Sequence, residues 1–340
     1  MQYYGTKCIK TSPVQYPFIE RGVFFVLTDM VGSWQQQIFP LLASRVRKCI
    51  DRLPQEVLAG VEEIRLRQGR SLLLETGRGQ VFPELSGGVT GEDIRETLNL
   101  LSQYSYYAFS EQLAQGFLTV AGGHRVGVAG RTAVSEGRVS AMAAIGSLNI
   151  RVAREIKGAA DRVLPWLVAG QQVYNTLIIA PPRAGKTTLL RDVVRQFSDG
   201  WLGFSGVTVG LVDERSEIAG CYLGVPQLDV GQRTDVLDSC PKEYGLLMLV
   251  RSMGPRVVAA DELGRLADVE AIEAVLAAGV TVLSTAHARD LAEARQRPAL
   301  KVLLERSCFQ RVVILTRAGG KPVLAGVMSL PQEKWLFRGV

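Results

Sequence analysis

The spacing of apolar residues alternates between helical and strand periods along the first half of the chain. Residues 34–50 place an apolar side chain at about every third or fourth position, which predicts one helix, and Pro54 is expected to open a second, shorter helix. Residues 63–67 alternate between polar and apolar side chains, as a half-buried strand does. Thr90, followed three residues later by aspartate, predicts the capped start of another helix.

A glycine-rich stretch follows these elements. Residues 110–116 predict one more helix. In residues 122–131 glycine is interleaved with apolar residues, which predicts tight hairpin strands with close backbone approach. A last strand is predicted at 148–152, and we therefore expect residues 30–155 to form an α+β domain.

The second half of the chain shows a more regular alternation. Residues 156–172 have helical apolar spacing between glycines and are predicted to form a linker helix. Residues 173–340 then alternate apolar strands with helices, which predicts an α/β domain with a mostly parallel sheet covered on both faces. The predicted strands are 175–179, 207–212, 256–260, 280–284 and 311–315, and the predicted helices are 186–197, 242–253, 267–278 and 298–305.

The first strand of this domain leads into a sequence that fits a phosphate-binding loop at every specified position except the first, where alanine replaces glycine. Gly185 would let backbone N–H groups close around phosphate oxygens, Lys186 would offer charge to the β and γ phosphates, and Thr187 would ligate Mg²⁺. The alternative is an ordinary strand-turn-helix corner with a surface lysine. The candidate nucleotide-binding residues are Ala180, Pro181, Pro182, Arg183, Ala184, Gly185, Lys186, Thr187 and Thr188.

Charged residues directly after apolar strands are the next candidates, because ligands of open parallel sheets bind beyond the carboxyl ends of the strands. The strand at 256–260 is followed by Asp261, which would hold Mg²⁺ through water, and Glu262, which would polarise the attacking water. The strand at 280–284 leads to Thr285 and His287, which with Ser284 could sense the γ phosphate. A turn histidine with satisfied hydrogen bonds is the alternative for His287.

A third strand end carries several acidic residues. Asp213, Glu214 and Glu217 could bind the metal through water or supply the base, with Arg215 as a salt-bridge partner. The alternative is structural: a capped turn in which Ser216 begins the next segment.

Composition narrows the class of protein. The 340 residues and 47% apolar content suggest about two domains with sizeable cores, and no apolar run approaches the roughly 18 residues that span a bilayer. Five scattered cysteines and two histidines support neither a disulfide framework nor a zinc site, so we expect a cytoplasmic protein. The net charge of +6 permits contact with nucleic acid or an anionic membrane, but dispersed basic residues fit an ordinary surface equally well.

Residues 1–29 show no sustained apolar period, and they lack the features of a secretory signal. We expect this segment to lie outside the folded protein, with the natural start at or near Met30.

Four motifs carry a resemblance to a known family: APPRAGKTTLLRD, VGLVDERSEIAG, DVGQRTDVLDSCPKEYGLLMLVRSMGPRVVAADELG and TVLSTAHA. Their order resembles the stage III sporulation protein AA family of endospore-forming bacteria, which is related to the secretion ATPases of type II and type IV pilus machines. The likeness extends from Met30 nearly to the C-terminus and includes EEIRLRQGR and GGHRVGVAGR. It implies a RecA/AAA-like P-loop NTPase that hydrolyses ATP with Mg²⁺.

The resemblance also implies partners. Secretion ATPases are hexamers with nucleotide between subunits, so arginines from a neighbour would complete the site; Arg125, Arg131 and Arg233 are candidates, with surface salt bridges as the alternative. His287 would belong to the family's histidine box. The implied role is to energise a membrane-embedded, secretion-like channel between mother cell and forespore, from the cytoplasmic face of the membrane. A nucleic-acid-dependent RecA-like ATPase and a nucleotide-gated scaffold remain open as alternatives.

Overall fold

The computed structural model describes residues 33–105, 109–135 and 138–339, so the expected unfolded segment 1–29 lies outside the described residues. The N-terminal elements are α1 (Ser33–Ile38), α2 (Ser44–Asp51), α3 (Gln55–Ala59), β1 (Val61–Arg67), β2 (Leu73–Thr76), β3 (Gly79–Val81), α4 (Gly91–Leu101), α5 (Ser110–Ala114), β4 (Phe117–Val120), β5 (His124–Ser135) and β6 (Arg138–Arg151). The strands form one antiparallel sheet in the order β3-β2-β1-β6-β5-β4.

Alternate residues of this sheet form one apolar face that packs on the helices. Ile64 and Leu66 of β1 are fully buried with Val46 of α2 and Ile94 of α4 in a single core. The glycine-rich strand β5 approaches β6 closely, as predicted: a Cβ on Gly130 would lie 2.7 Å from the Cα of Ile145. An α+β architecture for this part of the chain follows from these contacts.

The single helix predicted over residues 34–50 is wrong in one respect. The structure divides it into α1 and α2, with a 3₁₀ turn at Phe39–Leu41 between them. Pro40 is the cause, because proline lacks an N–H and its ring clashes with the preceding turn of an α-helix. The apolar positions Ile38, Val46 and Ile50 are nevertheless all buried, so the period correctly identified the core face.

The predicted cap of α4 is confirmed. The Thr90 hydroxyl accepts a hydrogen bond from the Asp93 N–H at 3.2 Å, and the Asp93 carboxylate accepts one from the Thr90 N–H at 2.7 Å. Arg45 of α2 donates to both carboxylate oxygens of Asp93, at 3.2 and 2.6 Å. The cap therefore also joins two helices.

The linker helix predicted over residues 156–172 is wrong in extent. Only α6 (Leu164–Leu167) is helical, and a small hairpin of β7 (Val168–Ala169) and β8 (Gln172–Val173) follows it. Gly170, with a φ of +59°, makes the hairpin turn that ends the helical pattern.

The C-terminal elements build a mixed sheet of eight strands. They are β9 (Thr176–Ala180), α7 (Lys186–Asp199), β10 (Val209–Asp213), β11 (Thr234–Asp238), α8 (Lys242–Met253), β12 (Val257–Ala260), α9 (Leu266–Ala277), β13 (Thr281–His287), α10 (Leu291–Ala294), α11 (Pro298–Glu305), β14 (Arg311–Ala318), β15 (Lys321–Ser329) and β16 (Lys334–Arg338). The strand order is β11-β10-β12-β13-β9-β14-β15-β16. The first six strands of this order are parallel, as predicted for five of them. Strand β11 was not predicted, nor were β15 and β16, which continue the sheet beyond β14 as antiparallel strands.

Helices cover both faces of this sheet. Helix α7 packs on one face through Leu189, Val193 and Phe197, whereas α8, α9 and α11 bury residues such as Leu246 and Ile272 on the other. All residues of the central strand β9 are buried, which explains the run of apolar residues that follows Thr176. Four parallel strands lie side by side in the order β10-β12-β13-β9. Their carboxyl ends therefore lie along one edge of the sheet.

The turn before β5 contacts the C-terminal sheet's long loop, residues 216–231. The N–H of Gly122 donates to Gln227 Oε1 at 2.9 Å, and a Cβ on Gly123 would lie 3.5 Å from the carbonyl oxygen of Gly220. Among the residues that the structure describes, no helix combines the length and apolar character that crossing a bilayer requires.

Candidate active site

The strand-loop-helix corner has the geometry of a phosphate-binding loop. Ala180 is the last residue of β9, where an alanine fits because extended backbone suits any L-residue. Gly185, the N-cap residue directly before α7, has φ +83° and ψ +17°, a left-handed conformation that glycine adopts without strain. No side chain among the described residues caps the first turn of α7. The N–H groups of that turn are therefore available to donate hydrogen bonds to an anion held in the loop.

Arg183 occupies a strained position in this loop. Its φ is +59°, in the left-handed region that costs an L-residue about 1 kcal/mol or more, and its side chain is exposed. The arginine therefore stands at a bend where glycine would be relaxed. Of the other loop residues, Pro182 is exposed, Ala184 is buried, and Pro181, Thr187 and Thr188 are half-buried.

Lys186 is the buried cation of the loop. Its side chain lies 7% exposed at the start of α7, and its Nζ donates to Nδ1 of His287 at 2.9 Å. Burial lowers the pKa of Lys186. The other ring nitrogen of His287, Nε2, donates to Oε1 of Glu262, so one imidazole joins the lysine of the loop to the acid that follows β12.

Glu262 is held at the end of β12 by several contacts. Its backbone has a φ of +57°, and its N–H donates to the Thr285 hydroxyl at 3.0 Å. Its second carboxylate oxygen, Oε2, lies 2.5 Å from Nη1 of Arg215. The carboxylate thus accepts a hydrogen bond from His287 on one oxygen and forms an ion pair with Arg215 through the other.

Asp261 lies between two hydroxyls. The Thr285 hydroxyl donates to its Oδ1, and Oγ1 of Thr187 lies 3.5 Å from its Oδ2. A threonine hydroxyl beside a carboxylate fits Mg²⁺, which takes oxygen ligands and usually only one or two carboxylates. Ser284, in contrast, donates at 2.8 Å to the carbonyl oxygen of Ala260 and is fully buried, which is a structural contact between β13 and β12.

Asp213 forms the turn that follows β10. Its side chain is 1% exposed, and its carboxylate accepts the N–H groups of Glu217, Ile218 and Ala219 at 2.9, 3.0 and 2.8 Å. Burial raises the pKa of Asp213 to about 6, against the opposing effect of these hydrogen bonds. Both oxygens are engaged by backbone, an arrangement that favours the structural alternative over metal binding.

Glu214 pairs with a lysine that the sequence analysis missed. Lys242, 5% exposed at the start of α8, donates to Glu214, and Nη2 of Arg265 lies 3.8 Å from the same carboxylate. Lys242 follows β11 at the carboxyl edge of the sheet. Because the sequence pattern did not reveal β11, nothing placed Lys242 at the site.

These side chains surround a cavity of about 230 Å³ at the carboxyl ends of β10, β12 and β13. Both acidic and basic groups line it, and Arg265 and Arg297 are further basic groups that the sequence pattern did not reveal. The charged lining residues are Asp213, Glu214, Arg215, Lys242, Asp261, Glu262, Arg265, His287 and Arg297. The structure therefore gathers Lys186, Asp261, Glu262, Glu214 and His287 into one place.

The three candidate arginines lie in different surroundings. Arg125 of β5 contacts its own chain: its Nη1 donates to Glu217 Oε1 at 2.5 Å and to the Arg215 carbonyl at 3.2 Å. Arg233 donates to the carbonyl oxygens of Ser198 and Asp199, at 2.6 and 3.3 Å, and so caps the C-terminus of α7. This cap explains the position of the Arg233 side chain by contacts within its own chain, so no neighbouring subunit is needed to explain it. Arg131 is exposed, about 20 Å further along β5 than Arg125.

The fold defines a class of protein. It is the P-loop α/β fold of the secretion ATPases, and two solved structures share it. The ATPase DotB of Legionella pneumophila gives a TM-score of 0.55 at 15% identity, over 80% of this chain and 78% of that one. The pilus retraction motor PilT, solved with bound ADP, gives a TM-score of 0.54 at 16% identity, over 86% of this chain and 83% of that one.

Sequence comparison identifies the family within this class. The family model described as "Sporulation stage III, protein AA" matches residues 33–333. Stage III sporulation protein AA of Bacillus subtilis (strain 168) is 44% identical over 285 residues, which are 84% of this chain and 92% of that protein. The chain belongs to the stage III sporulation protein AA family, and the resemblance inferred from its motifs is confirmed.

Proposed function

We propose that this protein binds ATP with Mg²⁺ and hydrolyses it as the motor of a sporulation-associated, secretion-like complex. The observation that carries the proposal is the polar chain Lys186–His287–Glu262, set beside Asp261 and Thr187 at the carboxyl edge of the sheet. It brings a phosphate-binding cation, a general base and two oxygen ligands for Mg²⁺ together. The volume of about 230 Å³ suits the reacting phosphate and a water better than a whole nucleotide.

Each residue has a role that follows from its chemistry. Lys186 and the N–H groups at the start of α7 bind phosphate oxygens, while Thr187 and Asp261 hold Mg²⁺, which would neutralise phosphate charge. Glu262 takes the proton of the attacking water. His287 orients Glu262 through Nε2 and Lys186 through Nδ1, so it positions both side chains.

Assembly and partners form the second part of the proposal. The family membership and the shared secretion-ATPase fold support a ring, for which the earlier expectation is a homo-hexamer working on a membrane-embedded complex at the mother cell and forespore membranes. Arg131 is exposed and is the candidate arginine best placed to reach a neighbouring subunit, since Arg125 and Arg233 are engaged within their own chain.

The test compares steady-state ATP hydrolysis by the full chain with that of Glu262→Gln, with Glu305→Gln on the exposed end of α11 as a matched control. We expect Glu262→Gln to lose about 10²- to 10⁴-fold in kcat, because a positioned base contributes about that much, while a fluorescent ATP analogue still binds. Lys186→Ala should lose analogue binding.

Three outcomes would separate the alternatives. Equal turnover by wild type and Glu262→Gln would remove Glu262 as the base. Nucleotide binding with no turnover in wild type would favour a nucleotide-gated scaffold. The mass of Glu262→Gln with ATP, measured by light scattering, should be six times that of the chain, and a monomer under those conditions would contradict the ring.

A further inference from the structure

Both carboxylate oxygens of Glu262 are engaged. Oε1 accepts from His287, and Oε2 lies 2.5 Å from Nη1 of Arg215. A carboxylate acts as a general base through an oxygen that is free to receive a proton. Each oxygen keeps a second lone pair, but the Arg215 cation beside Oε2 stabilises the ionised carboxylate and opposes transfer of a proton to it, so opening this contact would make Glu262 a better base.

Arg215 is the partner that can leave more easily. Its side chain is 63% exposed, whereas that of His287 is 31% exposed and is also fixed from its other ring nitrogen by Lys186. An exposed ion pair is weakly stabilising, so small movements of the backbone can open it. Arg215 lies in the turn after β10, which Asp213 organises.

The turn that carries Arg215 is tied to the N-terminal sheet. Arg125 donates from Nη1 to Glu217 Oε1 at 2.5 Å and to the carbonyl oxygen of Arg215 at 3.2 Å. The Arg125 guanidinium also lies over the ring of Phe117 on the neighbouring strand, 4.0 Å from its centroid. Arg125 is therefore fixed on the N-terminal sheet and holds the segment 215–217 from that side.

We propose that Arg215 is a positioning residue that restrains Glu262, and that the N-terminal sheet controls this restraint through Arg125. Displacement of the sheet relative to β10 draws the segment 215–217 away, opens the contact between Arg215 and Glu262, and frees Oε2 as the base. The inference rests on the proposed function, because a restraint on a base has meaning only if the protein hydrolyses nucleotide.

The experiment measures kcat and the dissociation constant of a fluorescent ATP analogue for the full-length wild type, Arg215→Gln, Arg215→Lys and Glu217→Gln. We expect Arg215→Gln to raise kcat about two- to fivefold with unchanged analogue affinity, the range that an exposed ion pair supports. Arg215→Lys keeps the charge and should restore the wild-type rate. Glu217→Gln weakens the hold of Arg125, which keeps its contact with the Arg215 carbonyl, and should raise kcat by less than Arg215→Gln.

A second readout does not depend on turnover. The chain contains two histidines, so a spectrum of protein labelled at the imidazole carbon shows one resonance for His287 and one for His124. The His287 resonance should move in Arg215→Gln, because Glu262 loses its other partner, and should stay in place in Arg215→Lys. Arg78→Gln, on an exposed turn of the N-terminal domain, makes the same charge change and should alter neither kcat nor the spectrum.

Failure of the inference and failure of the proposed function look different. An active wild type with Arg215→Gln equally fast or slower, or with an unmoved His287 resonance, would overturn the restraint. A fall in analogue affinity in Arg215→Gln would overturn it too, since Arg215 would then contact the nucleotide. Absence of hydrolysis in wild type and in every variant would overturn the proposed function, and the inference with it.

Discussion

His124 gives the stability of the fold a pH dependence that can be calculated. The side chain is 1% exposed; its Nδ1 accepts the N–H of Ala153 at 3.0 Å, and its Nε2 donates to Gln37 Oε1 at 2.8 Å. Both nitrogens are thus satisfied in the neutral ring, and a proton added to Nδ1 would face an N–H. Burial lowers the pKa of His124 from 6.5 to about 4.

The sign follows from proton binding. Between pH 6.5 and 4 the unfolded chain binds a proton at His124 that the folded chain does not, so the free energy of unfolding falls as the pH is lowered through this window. A shift of this size corresponds to about 3 kcal/mol in total, of which about 2 kcal/mol is lost by pH 5. Above pH 7 both states hold a neutral ring, and the contribution is constant.

The assay compares urea unfolding of wild type and His124→Asn at pH 7, 6 and 5. The variant is less stable at pH 7 because a smaller side chain leaves a cavity, but it cannot titrate, so the difference between the proteins should shrink by about 2 kcal/mol by pH 5. His287 is present in both proteins, so it does not contribute to the difference between their free energies of unfolding. A constant difference, or a His124 resonance with a titration midpoint near 6.5, would refute the reasoning.

Two further predictions concern stability, one from a helix cap and one from close packing. In Asp93→Ala, loss of the α4 cap and of the Arg45 contact should lower the free energy of unfolding by about 1–2 kcal/mol at pH 7. Burial alone would raise the pKa of Asp93, but hydrogen bonds from Arg45 and Thr90 hold it below its usual 3.8, so this loss should fade as acid protonates the wild-type carboxylate. Gly245→Ala would bring a Cβ to 2.9 Å from Val212 and should destabilise by about 1–3 kcal/mol in thermal unfolding, whereas Gly146→Ala, which meets nothing within 4 Å, should not.

The buried elements of the C-terminal sheet could be predicted because their signals are local. Helix α8 was predicted at 242–253 and spans Lys242–Met253, and β9 is apolar from Leu177 to Ala180 because both faces of the sheet are covered. Strand β11 is the opposite case: its sequence TDVLD is polar at both ends and half-buried throughout, as befits an edge strand. Neither periodicity nor an apolar run marks such a strand.

The junction between the sheets shows why apolar spacing alone misleads. Ala160, Val163, Leu164 and Leu167 have helical spacing, and all four are buried in the core that α7 forms with the C-terminal sheet. Most of this segment nevertheless consists of turns, because packing against an existing surface can bury residues at such intervals without a continuous helix. The pattern reported burial correctly and the secondary structure incorrectly.

At the candidate site the same local pattern gives two different results. Strands β10 and β12 both end in an apolar run followed by Asp-Glu, and the sequence makes Asp213 and Asp261 equivalent. In the structure the chain after Asp213 curls back, so three backbone N–H groups occupy its carboxylate; Asp261 instead meets hydroxyls of β13 and α7. Backbone donors cannot leave without unfolding the turn, whereas a hydroxyl can exchange its partner for a metal or water. The distinction between a structural and a functional acid therefore depends on which elements supply the hydrogen bonds, and that is fixed by the tertiary fold.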